Sequence, residues 1–159
     1  TGAMSWLSWL PPDPALADVL RRRAVPGSFL LHLDYHPLNV LMADDDVSGV
    51  VDWANARGGD PRADLARTAA ILQFAPMAWA ASPDVARTIR RAMISGWQRG
   101  YREVARPTRG LSPFLAWAGQ AMVQDLSPRL GRSDLPWLTP EYLARIERWA
   151  AGWRKRARL

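Results

Sequence analysis

The chain of 159 residues contains no cysteine, which excludes a disulfide framework, a thiol nucleophile and a cysteine-ligated zinc site. It has only two histidines and a single lysine, Lys155. No apolar run approaches the ~18 residues that a membrane-spanning helix needs. The N-terminus also lacks a basic region followed by an apolar stretch, so no signal peptide is visible. We therefore expect a cytoplasmic protein without a membrane partner.

The composition is that of one soluble globular domain. Hydrophobic residues make up 48% and charged residues 23% of the chain, which excludes disordered, collagen-like and coiled-coil classes. About 150 residues is also the usual size of one domain. Residues 1–4, Thr-Gly-Ala-Met, are interpreted as the remnant of a cleaved expression tag, and residues 5–159 as the domain itself.

The net charge of +6 is unevenly distributed along the chain. Residues 1–70 hold six basic and nine acidic side chains, whereas residues 71–159 hold fifteen basic and six acidic ones. The arginine bias is typical of GC-rich coding, and we expect a bacterial protein. The basic residues are scattered over several predicted helices rather than gathered in one patch, which argues against a nucleic-acid partner.

A short helix is predicted first, followed by three short strands and then by four longer helices. Residues 11–24 predict a short amphipathic helix, and apolar runs predict strands at 28–33, 39–43 and 49–53, with a polar turn at 44–46 between the last two. Four later helices each begin with a capping side chain before a proline. The capping residues are Asp60, Ser82, Ser112 and Thr139, and the helices are predicted at about 61–75, 83–105, 113–126 and 140–157. The fold class is therefore α+β, predominantly α.

The chemistry-bearing residues are concentrated in the segment 32–39, HLDYHPLN, and the segment 50–53, VVDW. A hairpin between them would bring Asp34, Asn39 and Asp52 to one point. An amide oxygen and a carboxylate are hard ligands suited to Mg²⁺. A second carboxylate off the metal can orient a hydroxyl and accept its proton. This combination fits phosphoryl transfer, which depends on positioning and on neutralising charge.

The segment HLDYHPLN has the H-x-D-x-x-x-x-N spacing of the kinase catalytic loop. With VDW at 51–53, GDP at 59–61 and DLA at 64–66, the chain resembles the aminoglycoside phosphotransferase and choline kinase family over roughly residues 30–70. The resemblance implies the C-terminal lobe of a protein-kinase-like fold. Residues 28–60 would form its catalytic and metal-binding hairpin region, and residues 61–159 its helical acceptor-binding part.

The resemblance also implies the roles of individual residues. Asp34 would be the catalytic base towards a hydroxyl of a small-molecule acceptor, and Asn39 and Asp52 would bind Mg²⁺ against the phosphates of ATP or GTP. These enzymes act on antibiotics or metabolites, so the implied function is small-molecule O-phosphotransfer.

Three further residues would support this site. His32 and Asp64 would brace the catalytic loop, and His36 would shape it. The family usually has glycine after the first histidine, and here that position is Leu33. This departure bears on the local backbone geometry of the loop and removes none of the implied ligands.

We expect the nucleotide-binding lobe of such a kinase to be missing from this sequence. No glycine-rich loop precedes residue 28, Lys155 lies too near the C-terminus to reach the nucleotide phosphates, and 22 residues between Met4 and Gly27 cannot form a five-stranded lobe. We expect the C-terminal lobe alone, which binds ATP weakly or not at all and transfers no phosphate. Its uncovered partner surface would favour self-association.

Several alternatives stay open. A kinase-like lobe can serve as a non-catalytic binding or assembly module. His32, Asp34 and His36 have a spacing found in zinc sites, although the chain has no further histidine, and residues 44–46 are more typical of a solvated turn than of a calcium loop.

The acceptor itself is constrained only by charge and aromatic content. The basic second half favours a neutral, apolar or anionic acceptor over a polycationic one. Five aromatic residues either pack in the core or form a wall of the acceptor site: Trp79, Trp97, Tyr101, Trp117 and Trp137.

Overall fold

The computed structural model describes residues 6–9, 13–25, 29–77, 80–105 and 109–159. The helices in this part of the chain are α1 Pro14–Arg23, α2 Pro61–Phe74, α3 Pro83–Val104, α4 Ser112–Leu126 and α5 Pro140–Arg156. The strands are β1 Phe29–Leu31, β2 Val40–Ala43, β3 Asp46–Val50 and β4 Arg57–Gly59. The predicted α+β class with a predominance of helix is confirmed.

The four later helices lie within one residue of their predicted ends. Asp60 accepts a hydrogen bond from the Arg62 N–H, and Ser82 and Thr139 likewise cap the first turns of α3 and α5. The predicted cap at Ser112 is wrong, because Ser112 is itself the first residue of α4 and no side chain caps that helix. Local capping chemistry therefore explains three of these four helix starts.

The strands pair as two separate antiparallel ladders. β2 pairs with β3, with Val40 opposite Val50 and a register shift between Leu41 and Met42. The prediction of a strand at 49–53 is wrong in its bounds, because β3 spans Asp46–Val50 and so begins inside the predicted turn. β4 was not predicted; it pairs with β1, placing Phe29 opposite Gly59. Its sequence, Arg-Gly-Gly, has no apolar alternation, so pairing with β1 is what makes it a strand.

Helix α4 forms the centre of the core, packed against α1, α2 and α5. Its Phe114 and Trp117 side chains are fully buried and enclose Trp6, with ring centroids 5.6 and 5.0 Å from the Trp6 ring. Gly59 of β4 lies against Trp6 so closely that an added Cβ would come within 1.9 Å of its ring. Glycine at this position therefore lets β4 approach the core.

Helix α3 lies outside this core. None of its residues is fully buried, and it packs mainly on α2. Among the described segments, no helix combines the length and apolarity that crossing a bilayer requires.

Candidate active site

His32 links the loop 32–39, which follows β1, to the end of β3. It is buried, its Nε2 lies 2.9 Å from the Val51 carbonyl oxygen, and its Nδ1 accepts a hydrogen bond from the Asp34 N–H at 3.2 Å. Because Nδ1 accepts, the ring proton is on Nε2, which donates to Val51. The Trp53 ring lies against the imidazole with centroids 4.6 Å apart. This ring therefore holds two chain segments together and has no free nitrogen for chemistry.

Asp64, in the first turn of α2, holds the backbone of the same loop. Its carboxylate accepts hydrogen bonds from the His32 N–H at 3.3 Å and from the Leu33 N–H at 2.7 Å. Leu33 has a φ of 62°, in the left-handed region that glycine adopts most readily. Leu33 therefore adopts the left-handed backbone conformation that a glycine would adopt at this position.

Arg67 also contacts this loop and was missed by the sequence analysis. Its side chain is 6% exposed; Nε donates to the Leu33 carbonyl at 3.2 Å, and Nη2 pairs with the Asp125 carboxylate of α4 at 3.0 Å. The third nitrogen, Nη1, has no hydrogen-bond partner among the described residues. The sequence offers one indication of this contact: Arg67 follows Asp64 by three residues and so lies on the same face of α2.

Asn39 connects the loop to the hairpin. It is buried; its side-chain Nδ2 donates to the Asp34 carbonyl at 2.9 Å, and its own carbonyl accepts from the Val51 N–H at 2.9 Å. The amide nitrogen is therefore committed to the loop, while Oδ1 accepts no hydrogen bond from any described residue. An amide oxygen held in this way is a preformed candidate ligand for a hard cation.

Asp52 follows β3 in a left-handed conformation, with φ and ψ both 61°. Trp53 holds the neighbouring backbone, since its indole N–H donates to the Val50 carbonyl at 2.8 Å. The Asp52 carboxylate is exposed and receives no hydrogen bond from the described residues. A sparsely populated backbone conformation, maintained by its neighbours, is a feature of functional sites.

Asp34 has a fixed backbone and an accessible carboxylate. Its N–H and carbonyl are bonded to His32 and Asn39, while its side chain stays 28% exposed. The His36 Nε2 lies 3.9 Å from Asp34 Oδ1, and the His36 carbonyl starts the 3₁₀ turn Pro37–Asn39 by accepting from the Asn39 N–H. Asp34 and His36 both line a cavity of about 450 Å³. The carboxylate is thus placed to meet a molecule in that cavity.

The wall of this cavity is largely aromatic and aliphatic. Trp137 and Tyr142 lie edge to face with centroids 5.1 Å apart, and Phe74 lies 6.4 Å from the Tyr142 ring. Burial raises the pKa of Tyr142 to about 12, and its hydroxyl donates to the Phe74 carbonyl. This phenol therefore stays neutral at ordinary pH, and its hydroxyl is engaged with the backbone.

The five aromatic residues considered for an acceptor wall separate into different environments. Trp137 lines the cavity, Trp117 is buried in the core, and Trp97 and Tyr101 border grooves beside α3. Trp79 lies outside the described residues. Among the four of these residues that the structure describes, the wall hypothesis therefore applies to Trp137 alone.

Within the described ranges, no three His, Cys, Asp or Glu side chains gather closely enough to hold a metal ion. That geometry gives no support to a zinc centre on His32, Asp34 and His36 or to a calcium site in the turn at 44–46. A pair made of the Asn39 amide oxygen and the Asp52 carboxylate would be a different kind of site. Mg²⁺ often takes only one or two protein ligands and completes its shell with water and phosphates.

The family of the chain follows from a comparison with protein-family models. No curated protein and no solved structure matches the chain. The model of the phosphotransferase enzyme family (APH) matches residues 5–108, which include every site residue described above except Asp125, Trp137 and Tyr142. In agreement with the resemblance of its loop and hairpin motifs, the chain belongs to the phosphotransferase enzyme family.

Proposed function

We propose that the chain is the C-terminal lobe of an ATP- and Mg²⁺-dependent small-molecule O-phosphotransferase with a protein-kinase-like fold. The observation that carries this proposal is the position of Asn39. Its side chain is bonded to the Asp34 backbone, and its own backbone is bonded to Val51, the residue before Asp52. Asn39 is therefore hydrogen-bonded to the backbone of the proposed base and to the residue that precedes the second proposed ligand, which supports placing all three in one site.

The donor set fits magnesium. Asn39 offers an oxygen that no described residue occupies, and Asp52 offers a carboxylate with the same property. When bound beside the nucleotide phosphates, Mg²⁺ would neutralise their charge and hold them in line for transfer. That these two groups share one ion is part of the proposal.

Asp34 is the proposed base. It orients the acceptor hydroxyl and accepts its proton while the hydroxyl oxygen bonds to the terminal phosphorus of ATP, and ADP leaves with the bridging oxygen. His32, Asp64 and Arg67 act on this step only through the backbone of the loop 32–39. His36 lies close enough to the Asp34 carboxylate to influence its orientation.

A nucleotide-binding lobe is the proposed partner of the strand region. Apolar side chains there are exposed to an unusual degree, reaching 67% for Leu30 and 88% for Leu38. The others on β1 and the hairpin are Phe29, Leu41, Met42 and Val47. Exposed apolar patches of this kind mark surfaces that a partner covers. Without that lobe, the isolated chain is expected to self-associate through the same surface.

The test is an assay of ADP release that depends on added hydroxyl compound. It is carried out on the natural protein that contains this chain. Asp34→Asn is expected to lower turnover by at least ~10²-fold, because it removes the proton acceptor. Asp45→Asn, in the exposed hairpin turn, makes the same charge change and is expected to have no effect. Full activity of the Asp34→Asn enzyme would contradict the proposal.

The 159-residue chain alone is expected to transfer no phosphate. Robust turnover by it would contradict the need for a second lobe. The alternative, a non-catalytic binding or assembly module, would be favoured if the natural protein released no ADP with any hydroxyl compound.

A further inference from the structure

We propose that the cavity beside Asp34 takes an acceptor alcohol with an apolar, ring-containing body and a neutral or anionic character, and that it rejects polycations. This inference rests on the proposed function, in which Asp34 meets the acceptor hydroxyl. The volume of about 450 Å³ is that of a site for one small molecule.

The charges that line the cavity point to this class. Two carboxylates, Asp34 and Asp125, and two guanidinium groups, Arg67 and Arg129, contribute to its wall. Arg67 and Asp125 neutralise each other through their ion pair at 3.0 Å. If Asp34 binds the acceptor hydroxyl, Arg129 is the remaining one of these four charged groups that can contact the rest of the acceptor.

Arg129 has no carboxylate within ion-pair distance among the described residues. It ends the 3₁₀ turn Ser127–Arg129 that follows α4, and its side chain is exposed. A ligand carrying several ammonium groups would meet this cation with no further carboxylate on the wall to balance its charge. A carboxylate or another oxygen-rich group would instead gain a charge-assisted hydrogen bond.

The remaining wall suits an apolar body. Besides the aromatic group of Phe74, Trp137 and Tyr142, aliphatic side chains line the cavity. They are Ile71, Leu126 and Met122. A sugar-like polycation would leave these side chains without apolar partners, whereas a ring-containing alcohol would bury surface against them.

The experiment uses the ¹⁵N-labelled 159-residue chain and three alcohols that differ in one group. The probes are 4-(hydroxymethyl)benzoate, 1,4-benzenedimethanol and 4-(aminomethyl)benzyl alcohol, with kanamycin as the polycation. Amide shifts of Asp34, Arg129 and Trp137 report binding. The carboxylate is expected to bind at least threefold more tightly than the amine, with the neutral diol between them, and kanamycin is expected to leave these amides unshifted.

Arg129→Gln is expected to reduce the ratio of carboxylate to amine affinity at least twofold. Arg148→Gln, on the exposed face of α5, is the matched control and is expected to leave that ratio unchanged. Tighter binding of the amine or of kanamycin, equal effects of the two variants, or no shift of these amides with any alcohol would each overturn the inference.

The outcomes separate this inference from the proposed function. Phosphate transfer to kanamycin that is lost in Asp34→Asn would support the function and overturn the acceptor class. The expected order of probe affinities, combined with a natural protein that transfers phosphate to none of the hydroxyl compounds, would leave the cavity as a ligand site and remove its assignment to an acceptor.

Discussion

The Leu33 N–H donates to Asp64 Oδ1 at 2.7 Å, and this contact holds a leucine in a backbone conformation suited to glycine. A left-handed conformation costs a non-glycine residue about 1–2 kcal/mol. The Leu33 side chain is fully buried, and such burial contributes about 1.5–3 kcal/mol. Burial therefore offsets the strain, and the departure from the family's usual glycine leaves the turn of the loop intact.

Asp64→Asn is expected to destabilise the chain by ~1–2 kcal/mol. The variant loses one of two charge-assisted hydrogen bonds to the loop, since an amide keeps only one accepting oxygen. The measurement is the free energy of unfolding in urea, with Asp45→Asn as the control for charge. Equal stability of the two variants would show that Asp64 does not brace the loop.

Two helical glycines give opposite predictions for the same substitution. A Cβ at Gly119 of α4 would lie 2.7 Å from the Ala150 Cβ of α5, whereas a Cβ at Gly96 of α3 would meet nothing within 4 Å. Gly119→Ala is expected to cost ~1–3 kcal/mol because α4 and α5 must separate. Gly96→Ala is expected to gain ~0.5–1 kcal/mol from helix propensity.

Urea unfolding of both glycine variants checks this pair. A Gly119→Ala protein as stable as the wild type would mean that α4 and α5 do not pack at the distance described. A destabilised Gly96→Ala protein would mean that other atoms pack against α3 at Gly96, where the structure shows open space.

The ion pair between Asp13 and Arg154 predicts a pH dependence of stability. The hydrogen bond from Arg154 Nε, at 2.8 Å, is the main cause that lowers the pKa of Asp13 from 3.8 to about 2. Because the folded pKa lies below the unfolded one, this stabilisation is present above about pH 4 and is lost as the pH falls towards 2.

Asp13→Asn is expected to lower stability by ~1 kcal/mol at pH 6, after allowance for solvent screening at the surface. The difference from the wild type should shrink by more than half at pH 2.5. Asp18→Asn, which alters an exposed pair within α1, serves as the comparison. A difference that does not change with pH would contradict the ionic role of Asp13.

The features that sequence reasoning predicted are those with local causes. Helices α2, α3 and α5 follow from capping residues, prolines and apolar content within each segment, and α4 follows from its proline and apolar content alone. The spacing of the loop motif is likewise local, and it made His32, Asp34 and Asn39 candidates. The features it missed depend on distant contacts. β4 is a strand because β1 lies beside it, and Arg67 reaches the loop and Asp125, a residue 58 positions away in the chain.

Binding of Mn²⁺, a paramagnetic substitute for Mg²⁺, tests the central claim most directly. In the ¹⁵N-labelled chain, Mn²⁺ is expected to broaden the amide signals of Asn39, Val51 and Asp52 selectively. Asp52→Asn should abolish this broadening, and Asp45→Asn should leave it in place. Broadening confined to the acidic turn at 44–46, or broadening at Asn39 that persists in Asp52→Asn, would contradict a shared metal site and the phosphotransferase mechanism built on it.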